Sequence, residues 1–180
     1  CVKESKIIEK ISNNNPLFSS PNNALARSLF LLNDNKLNSN IKILHQADWI
    51  IGKLLGEFNY SDNNNSLKLG YDSENNKWYE WIDRLPFKRD VFPTIKNPGH
   101  ELGNLSKELV NQFGFYNKCI ITAGTTDGIA SFLSTGASKI GESVTAIGTT
   151  MVIKSIIENP LFNSEYGIYS HKIGNLWLAG

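Results

Sequence analysis

The segment from Lys118 to Ala137 places a strand, a turn and a helix next to one another, and this order constrains the fold most. Lys118–Thr122 is a short apolar run rich in Ile, and Gly124-Thr-Thr-Asp-Gly128 follows as a turn of small and polar residues. Apolar residues from Ile129 to about Ala137 then recur at helical spacing. A strand that leads through a tight turn into a helix is typical of α/β proteins.

A second small-residue turn lies downstream, between two predicted strands. Ser143–Ile147 and Met151–Ile157 are strand-like runs on either side of Gly148-Thr149-Thr150. The last two strands are predicted around a Gly-Asn hairpin turn, at Gly167–Ile173 and Leu176–Ala179. The C-terminal part of the chain is therefore predicted to be mainly β-sheet.

The preceding part is predicted to be helical at its start and irregular in its middle, where Pro, Gly and Asn interrupt the apolar pattern. The predicted helices are Lys3–Ile11, Ala24–Leu32, Ala47–Leu55, Lys77–Leu85 and Ser106–Phe113. The other segments are a short strand candidate, Ile41–Leu44, a polar stretch, Tyr60–Lys77, and an extended connector, Pro86–Gly103.

The charge balance excludes two classes of partner. The chain has 180 residues with 18 basic and 17 acidic side chains, a net charge of +1. Binding of nucleic acid or of an anionic membrane through bulk charge is therefore not expected.

Polar residues interrupt the apolar runs well before the roughly 18 residues that a membrane span needs. A cytoplasmic protein is expected, or a plastid protein if the source is a plant.

The cysteines and histidines predict neither a disulfide framework nor a metal site. Cys119 lies in an apolar run, so we expect it to be a buried core residue, and Cys1 is the other thiol. His45, His100 and His171 are far apart in the sequence and lack partners at metal-ligand spacing.

Both ends of the sequence predict an internal fragment. The chain opens at Cys1, its one methionine is Met151, and Gly180 follows directly on a predicted strand. A first cysteine is also the lipid-bearing residue of mature bacterial lipoproteins, so that alternative stays open.

The turn Gly124–Gly128 holds one carboxylate, Asp127, between small residues at a helix start. Ligands of α/β proteins commonly bind at the carboxyl ends of strands, and a carboxylate there can act as a general base. Asp is also a preferred helix N-cap, so Asp127 as a capping residue is the alternative.

The turn Gly148-Thr149-Thr150 has two interpretations as well. Its backbone N–H groups and hydroxyls can cradle phosphate oxygens, or the threonines are ordinary strand formers in a hairpin. A carboxylate turn and a Gly-Thr turn that face one another across a cleft would suit phosphoryl transfer. In that chemistry the protein mainly positions the reactants and stabilises charge.

Taken together, these motifs resemble the FGGY carbohydrate kinases. The resemblance rests on Ala123–Ala137 and Thr145–Thr150, with support from His45–Glu57, Ser61–Asp72 and Tyr166–Gly180. The last segment is similar to the branch of D-ribulose kinases from cyanobacteria and plants.

The resemblance implies a partial ribonuclease H-like (actin-like ATPase) fold. Residues 1–136 would be the end of the sugar-binding domain and 137–180 the start of the nucleotide-binding domain, with the boundary near Thr135–Gly141. It implies that Asp127 is the catalytic base and also binds the sugar. Gly148, Thr149 and Thr150 would bind ATP phosphates, with Mg²⁺ alongside, and Gly180 would lie near the nucleotide.

The implied activity is transfer of the ATP γ-phosphate to the terminal hydroxyl of a ketopentose, D-ribulose first. D-xylulose, another ketose or a polyol is the alternative, and a non-catalytic sugar- or nucleotide-binding relative is the third. Arg27 and Phe30 depart from the Lys and Trp that many members carry in the early helix. Most sugar contacts and the adenosine site of the family lie outside this sequence, so the fragment alone is expected to be inactive.

Overall fold

The computed structural model describes residues 1–34, 41–163 and 165–180. Its α-helices are α1 (Val2–Ile11), α2 (Ala24–Asn33), α3 (Gln46–Leu55), α4 (Lys107–Phe113) and α5 (Asp127–Leu133). Its strands are β1 (Tyr60–Asp62), β2 (Tyr71–Asp72), β3 (Lys77–Trp78), β4 (Thr94–Lys96), β5 (Glu101–Asn104), β6 (Ile120–Thr122), β7 (Ser143–Ile147), β8 (Met151–Ile157), β9 (Ser170–Ile173) and β10 (Leu176–Ala179). Short 3₁₀ turns occupy Pro16–Phe18, Ser66–Leu69, Glu80–Arg84 and Arg89–Val91.

The predicted helices that have clear end signals are confirmed. The Asn23 side chain accepts a hydrogen bond from the Leu25 backbone N–H at 2.9 Å and so caps α2. Gly56 ends α3 and Gly114 ends α4, both in the left-handed conformation. None of the helices in the described ranges is long and apolar enough to cross a membrane.

The larger core lies in the N-terminal half. Ile8, Phe18 and Leu25 are fully buried there, together with Leu69. The Phe18 ring meets Trp81 edge-on, with ring centroids 4.9 Å apart. Aromatic side chains carry a large apolar area, so this cluster supplies much of the stability of the half.

The predicted helix Lys77–Leu85 is wrong. Lys77 and Trp78 form β3, which pairs antiparallel with β2, and Glu80–Arg84 is a 3₁₀ turn. The aromatic residues whose spacing suggested a helix pack in two different places. Trp78 packs against Tyr71 in the β2–β3 hairpin, and Trp81 packs against Phe18 in the N-terminal core.

Two segments predicted to be irregular contain strands. The polar stretch Tyr60–Lys77 holds β1 and β2, and the connector Pro86–Gly103 holds β4 and most of β5. β1 pairs parallel with β4, and β5 pairs antiparallel with β6. These strands have two to four residues, too few for a period-2 pattern to appear in the sequence.

The strand candidate Ile41–Leu44 is also wrong. The segment is extended and the Ile43 N–H donates to the Val91 carbonyl at 2.8 Å, but no strand ladder forms there. Its apolar side chains Ile41 and Ile43 instead pack against the N-terminal core.

The C-terminal part is a four-stranded antiparallel sheet in the order β7-β8-β10-β9. The predicted Gly-Asn hairpin between β9 and β10 is confirmed, with Gly174 in the left-handed region at φ 60°. α5 packs against this sheet through Ile129 and Phe132, which meet Ile156 and Leu178. α5 ends at Leu133, earlier than predicted, and the predicted domain boundary lies in the loop that follows.

Cys119 is exposed, which corrects the expectation of a buried core residue. It directly precedes β6, a strand whose one sheet partner is β5. A two-stranded sheet covers little of its own surface, so the apolar run around Cys119 is not enclosed.

Candidate active site

Asp127 is the first residue of α5 and directly follows the turn that leaves β6. Its carboxylate is exposed, and Oδ1 accepts the Gly128 backbone N–H at 2.6 Å. The helix is capped by Thr126, whose side-chain oxygen accepts the Ile129 N–H at 3.4 Å. The alternative that Asp127 is itself the N-cap is therefore wrong, and its carboxylate faces solvent at the positive end of a helix.

Lys154 connects α5 to the sheet beside Asp127. It lies in β8, and its ammonium donates to the Gly128 carbonyl at 2.9 Å. A Cβ at position 128 would lie 2.7 Å from that nitrogen, so a glycine there leaves room for the lysine. The second glycine of the Gly124–Gly128 turn thus has a steric role.

Gly148, Thr149 and Thr150 form the exposed turn between β7 and β8. The Gly148 N–H donates to the Thr150 carbonyl at 3.3 Å, and a Cβ at Gly148 would meet no atom closer than 3.9 Å. The turn is therefore open to a ligand. Across the described residues no hydrogen bond joins it to Asp127; β8 runs from this turn to Lys154.

Gly180 follows β10 and lies against β8. A Cβ there would collide with the Ile153 carbonyl and come within 2.8 Å of Lys154 Cγ. Its backbone exchanges two hydrogen bonds with Tyr169, at 3.2 and 3.3 Å. The close approach of two backbones requires glycine at this position.

A cleft of about 310 Å³ connects several of these residues. Met151, Lys154, Tyr169, His171 and Gly180 lie on its walls. Met151 directly follows the Gly148–Thr150 turn, and Lys154 reaches α5. Gly180 and β8, the strand that begins after the Gly148–Thr150 turn and carries Lys154, therefore line the same cleft.

His171 is the titratable group most affected by this cleft. Burial lowers the pKa of His171 to about 4, and the Lys154 and Lys68 ammonium groups act in the same direction. The ring packs 5.1 Å from the Tyr169 ring, centroid to centroid. His171 is therefore a neutral imidazole at neutral pH.

Replacing His171 with Gln is expected to reduce the acid sensitivity of the protein. The pKa of His171 is lowered from its ordinary value of 6.5 to about 4, so unfolded chains bind more protons between these pH values. The free energy of unfolding therefore falls as the pH falls from 6.5 towards about 4, and above pH 6.5 His171 has little effect on it. Urea unfolding at pH 7.5 and pH 5 should show an acid loss smaller by about 2 kcal/mol in the variant. The exposed His100→Gln is the control, and equal losses in wild type and His171→Gln would contradict the prediction.

Sequence reasoning did not predict that a buried polar loop from the Ser61–Asp72 segment lies beside the turn that precedes Asp127. Asp62 is 1% exposed at the end of β1. Its carboxylate accepts the Asn64 and Asn65 backbone N–H groups at 2.9 and 3.0 Å and the Asn65 side-chain amide at 2.6 Å. Burial raises the pKa of Asp62, and these hydrogen bonds oppose the rise.

The same arrangement recurs ten residues later. Asp72 accepts the Glu74 and Asn75 backbone N–H groups, each at 3.1 Å, and the Asn75 side-chain amide at 2.8 Å. An Asp followed three residues later by Asn is thus the sequence signal of both turns, since Asp side chains readily accept from backbone N–H groups two and three residues on.

The described residues contain no group of three or more His, Cys, Asp or Glu side chains arranged to hold a metal ion. Asp127 is the one acidic side chain among the predicted site residues. Mg²⁺ keeps several waters and needs one or two protein oxygens, so a single exposed carboxylate such as Asp127 is compatible with it.

Comparison with known proteins assigns the fold. The ligand-bound xylulose kinase of Lactobacillus acidophilus matches 99% of this chain with a TM-score of 0.82 at 18% identity, and the match covers 38% of that chain. The glycerol kinase of Plasmodium falciparum, solved with ADP, matches 86% with a TM-score of 0.72 at 20% identity and covers 33% of that chain. The chain therefore has part of the ribonuclease H-like (actin-like ATPase) fold of the sugar kinases.

One curated relative agrees with this fold. Ribulokinase 2 of Staphylococcus saprophyticus is 25% identical over 114 residues, which are 60% of this chain and 21% of that protein. No family model matches the sequence. The chain thus spans about a fifth of the length of this curated relative.

Proposed function

We propose that this chain is part of an ATP-dependent sugar kinase that phosphorylates the terminal hydroxyl of a ketopentose, D-ribulose in particular. The observation that carries the proposal is the exposed Asp127 carboxylate at the start of α5, where the carbonyl of the next residue, Gly128, accepts from Lys154 in the strand that leaves the Gly148–Thr150 turn. The ribulokinase relative supports the sugar class.

In the proposed reaction Asp127 accepts the proton of the sugar hydroxyl. That oxygen attacks the γ-phosphorus of ATP, a new P–O bond forms, and the bond from the γ-phosphorus to the oxygen that leaves with ADP breaks. The carboxylate is suited to this role because its neighbours Thr126 and Gly128 are small, so a hydroxyl can approach it. It also binds the sugar before the transfer.

Gly148, Thr149 and Thr150 are proposed to hold the phosphates of ATP, which enters with Mg²⁺ as its partner. The open space at Gly148 and the exposed hydroxyls of both threonines support this role. Gly180 is proposed to lie near the nucleotide, since the cleft that it lines also contains Met151, next to the turn.

The proposed domain division is 1–136 for the sugar-binding part and 137–180 for the nucleotide-binding part. It is supported by the four-stranded sheet, whose strands all lie after residue 142. The cleft lined by Met151, Lys154 and Gly180 lies within the second part.

The second candidate is the same chemistry on D-xylulose, another ketose or a polyol such as glycerol. The solved xylulose and glycerol kinases with the same fold favour it. A protein that binds sugar or nucleotide without transfer is a third candidate. It is disfavoured because, among the described residues, the one hydrogen bond of the exposed Asp127 carboxylate is with the adjacent Gly128 N–H, which leaves the carboxylate free to meet a ligand.

The test is ATP turnover by the full-length protein against D-ribulose, D-xylulose, L-ribulose and glycerol. We expect selective turnover with D-ribulose and formation of a phosphate ester at its terminal carbon. Turnover with another sugar would keep the mechanism and replace the substrate. ATP binding without turnover on any of the four would contradict the kinase proposal in this form.

A further inference from the structure

Asn64 joins three parts of the chain that lie far apart in sequence. Its side-chain amide donates to the Thr125 hydroxyl at 3.1 Å and to the Lys172 carbonyl at 2.9 Å. Its side-chain oxygen accepts the Lys172 backbone N–H at 2.9 Å. Asn64 is 3% exposed, so these bonds form away from water, where a lost partner is costly.

The loop that carries Asn64 is itself held in place. Asp62 accepts the Asn64 backbone N–H, as described above. Next to it, the Asn63 side chain donates to the Asn97 side-chain oxygen at 2.9 Å, and the Ser73 hydroxyl donates to the Asn63 carbonyl at 3.0 Å. The Asn64 side chain therefore projects from a loop whose backbone is fixed on both sides.

The two partners of Asn64 belong to the two halves of the candidate site. Thr125 lies two residues before Asp127 in the turn that enters α5. Lys172 lies in β9, which pairs with β10 and through it with β8, the strand that begins after the Gly148–Thr150 turn. The buried Asn64 side chain thus connects the turn before Asp127 to the sheet that carries the Gly148–Thr150 turn.

We infer that Asn64 is a positioning residue, which fixes the turn before Asp127 relative to the four-stranded sheet. The inference rests on the proposed kinase function for its catalytic meaning. Phosphoryl transfer depends on the alignment of base, hydroxyl and phosphate, and a displacement of about 1 Å can cost roughly 10²-fold in rate. Loss of the amide therefore lowers kcat more than it weakens binding of ATP.

The first experiment compares Asn64→Ala with wild type in the full-length kinase. We expect kcat to fall by about 10- to 100-fold, while the KM for ATP changes by less than about 3-fold, because the Gly148–Thr150 turn is untouched. Asn75→Ala is the control, since Asn75 lies in the second Asp-x-x-Asn turn, at the position of Asn65, and its side-chain amide donates to Asp72. The control should retain kcat.

A double-mutant cycle with Thr125→Val tests whether Asn64 acts through Thr125. Valine keeps the shape of threonine and removes the oxygen that accepts from the amide. We expect Thr125→Val to lower kcat in wild type and to add little in the Asn64→Ala background. Additive effects, or an unchanged kcat in Asn64→Ala, would overturn the inference.

Hydrogen exchange separates failure of this inference from failure of the kinase proposal. In Asn64→Ala the Lys172 amide should exchange faster, because it loses its acceptor. The Ile129 amide, which the Thr126 cap protects next to Asp127, should also exchange faster. Inactive wild type on every sugar would contradict the kinase proposal. Unchanged exchange at Ile129 would overturn the positioning role whatever the activity.

Discussion

Replacing Asp127 with Asn in the full-length protein is expected to lower turnover by about 10²- to 10⁴-fold. The amide keeps the size of the carboxylate and can still accept the Gly128 N–H, but it cannot take a proton from the sugar hydroxyl. Binding of ATP should persist, because the proposed phosphate contacts lie in the Gly148–Thr150 turn. Steady-state kinetics with a titration of ATP binding measure both quantities.

Asp83→Asn is the matched control for this substitution. Asp83 is exposed and forms a surface ion pair with Arg89, in which Arg89 Nε lies 2.7 Å from Asp83 Oδ1. Such pairs contribute about 0–1 kcal/mol, so this variant should keep both turnover and stability. Wild-type turnover in Asp127→Asn would remove Asp127 from the mechanism.

Replacing Phe18 with Ala is expected to lower the free energy of unfolding by about 3–5 kcal/mol. Phe18 is fully buried, and its ring meets Tyr79 and Trp81 edge-on with centroids 5.9 and 4.9 Å apart. Truncation removes the buried ring and leaves a cavity in the N-terminal core. Urea unfolding monitored by tryptophan fluorescence gives the difference.

The control for Phe18 is Phe113→Ala, at a phenylalanine that is 60% exposed at the end of α4. Its loss should change the free energy of unfolding by no more than about 0.5 kcal/mol. If both variants lost the same stability, the N-terminal aromatic cluster would not be the main core of this half.

The helices were predictable because their signals are local. Gly56 and Gly114, as left-handed C-caps, mark helix ends through contacts within one turn. The Gly174-Asn175 hairpin is local in the same sense. Where the signal was spacing alone, as in Lys77–Leu85, the prediction failed, because tertiary contacts separated Trp78 from Trp81.

The candidate site was predictable in its residue types and only partly in its arrangement. The Gly124–Gly128 and Gly148–Thr150 turns lie between the expected elements. Which of Thr126 and Asp127 caps α5 could not be decided from the sequence, because both are good caps. The hydrogen bond from the Ile129 N–H to the Thr126 side chain makes Thr126 the cap, and the role of Asp127 as a base stays a prediction.

The sequence by itself determined where α3 and α4 end, the final hairpin, the α/β class and the positions of the two turns, because short-range rules govern each of them. The tertiary structure decided the rest. It exposed Cys119, paired β1 with β4 across 34 residues of sequence, and buried Asn64 between Thr125 and Lys172. These outcomes depend on which segments meet in the folded chain. Segments that are distant in sequence bury the Asn64 amide, and no such segment covers the Cys119 thiol in the described residues.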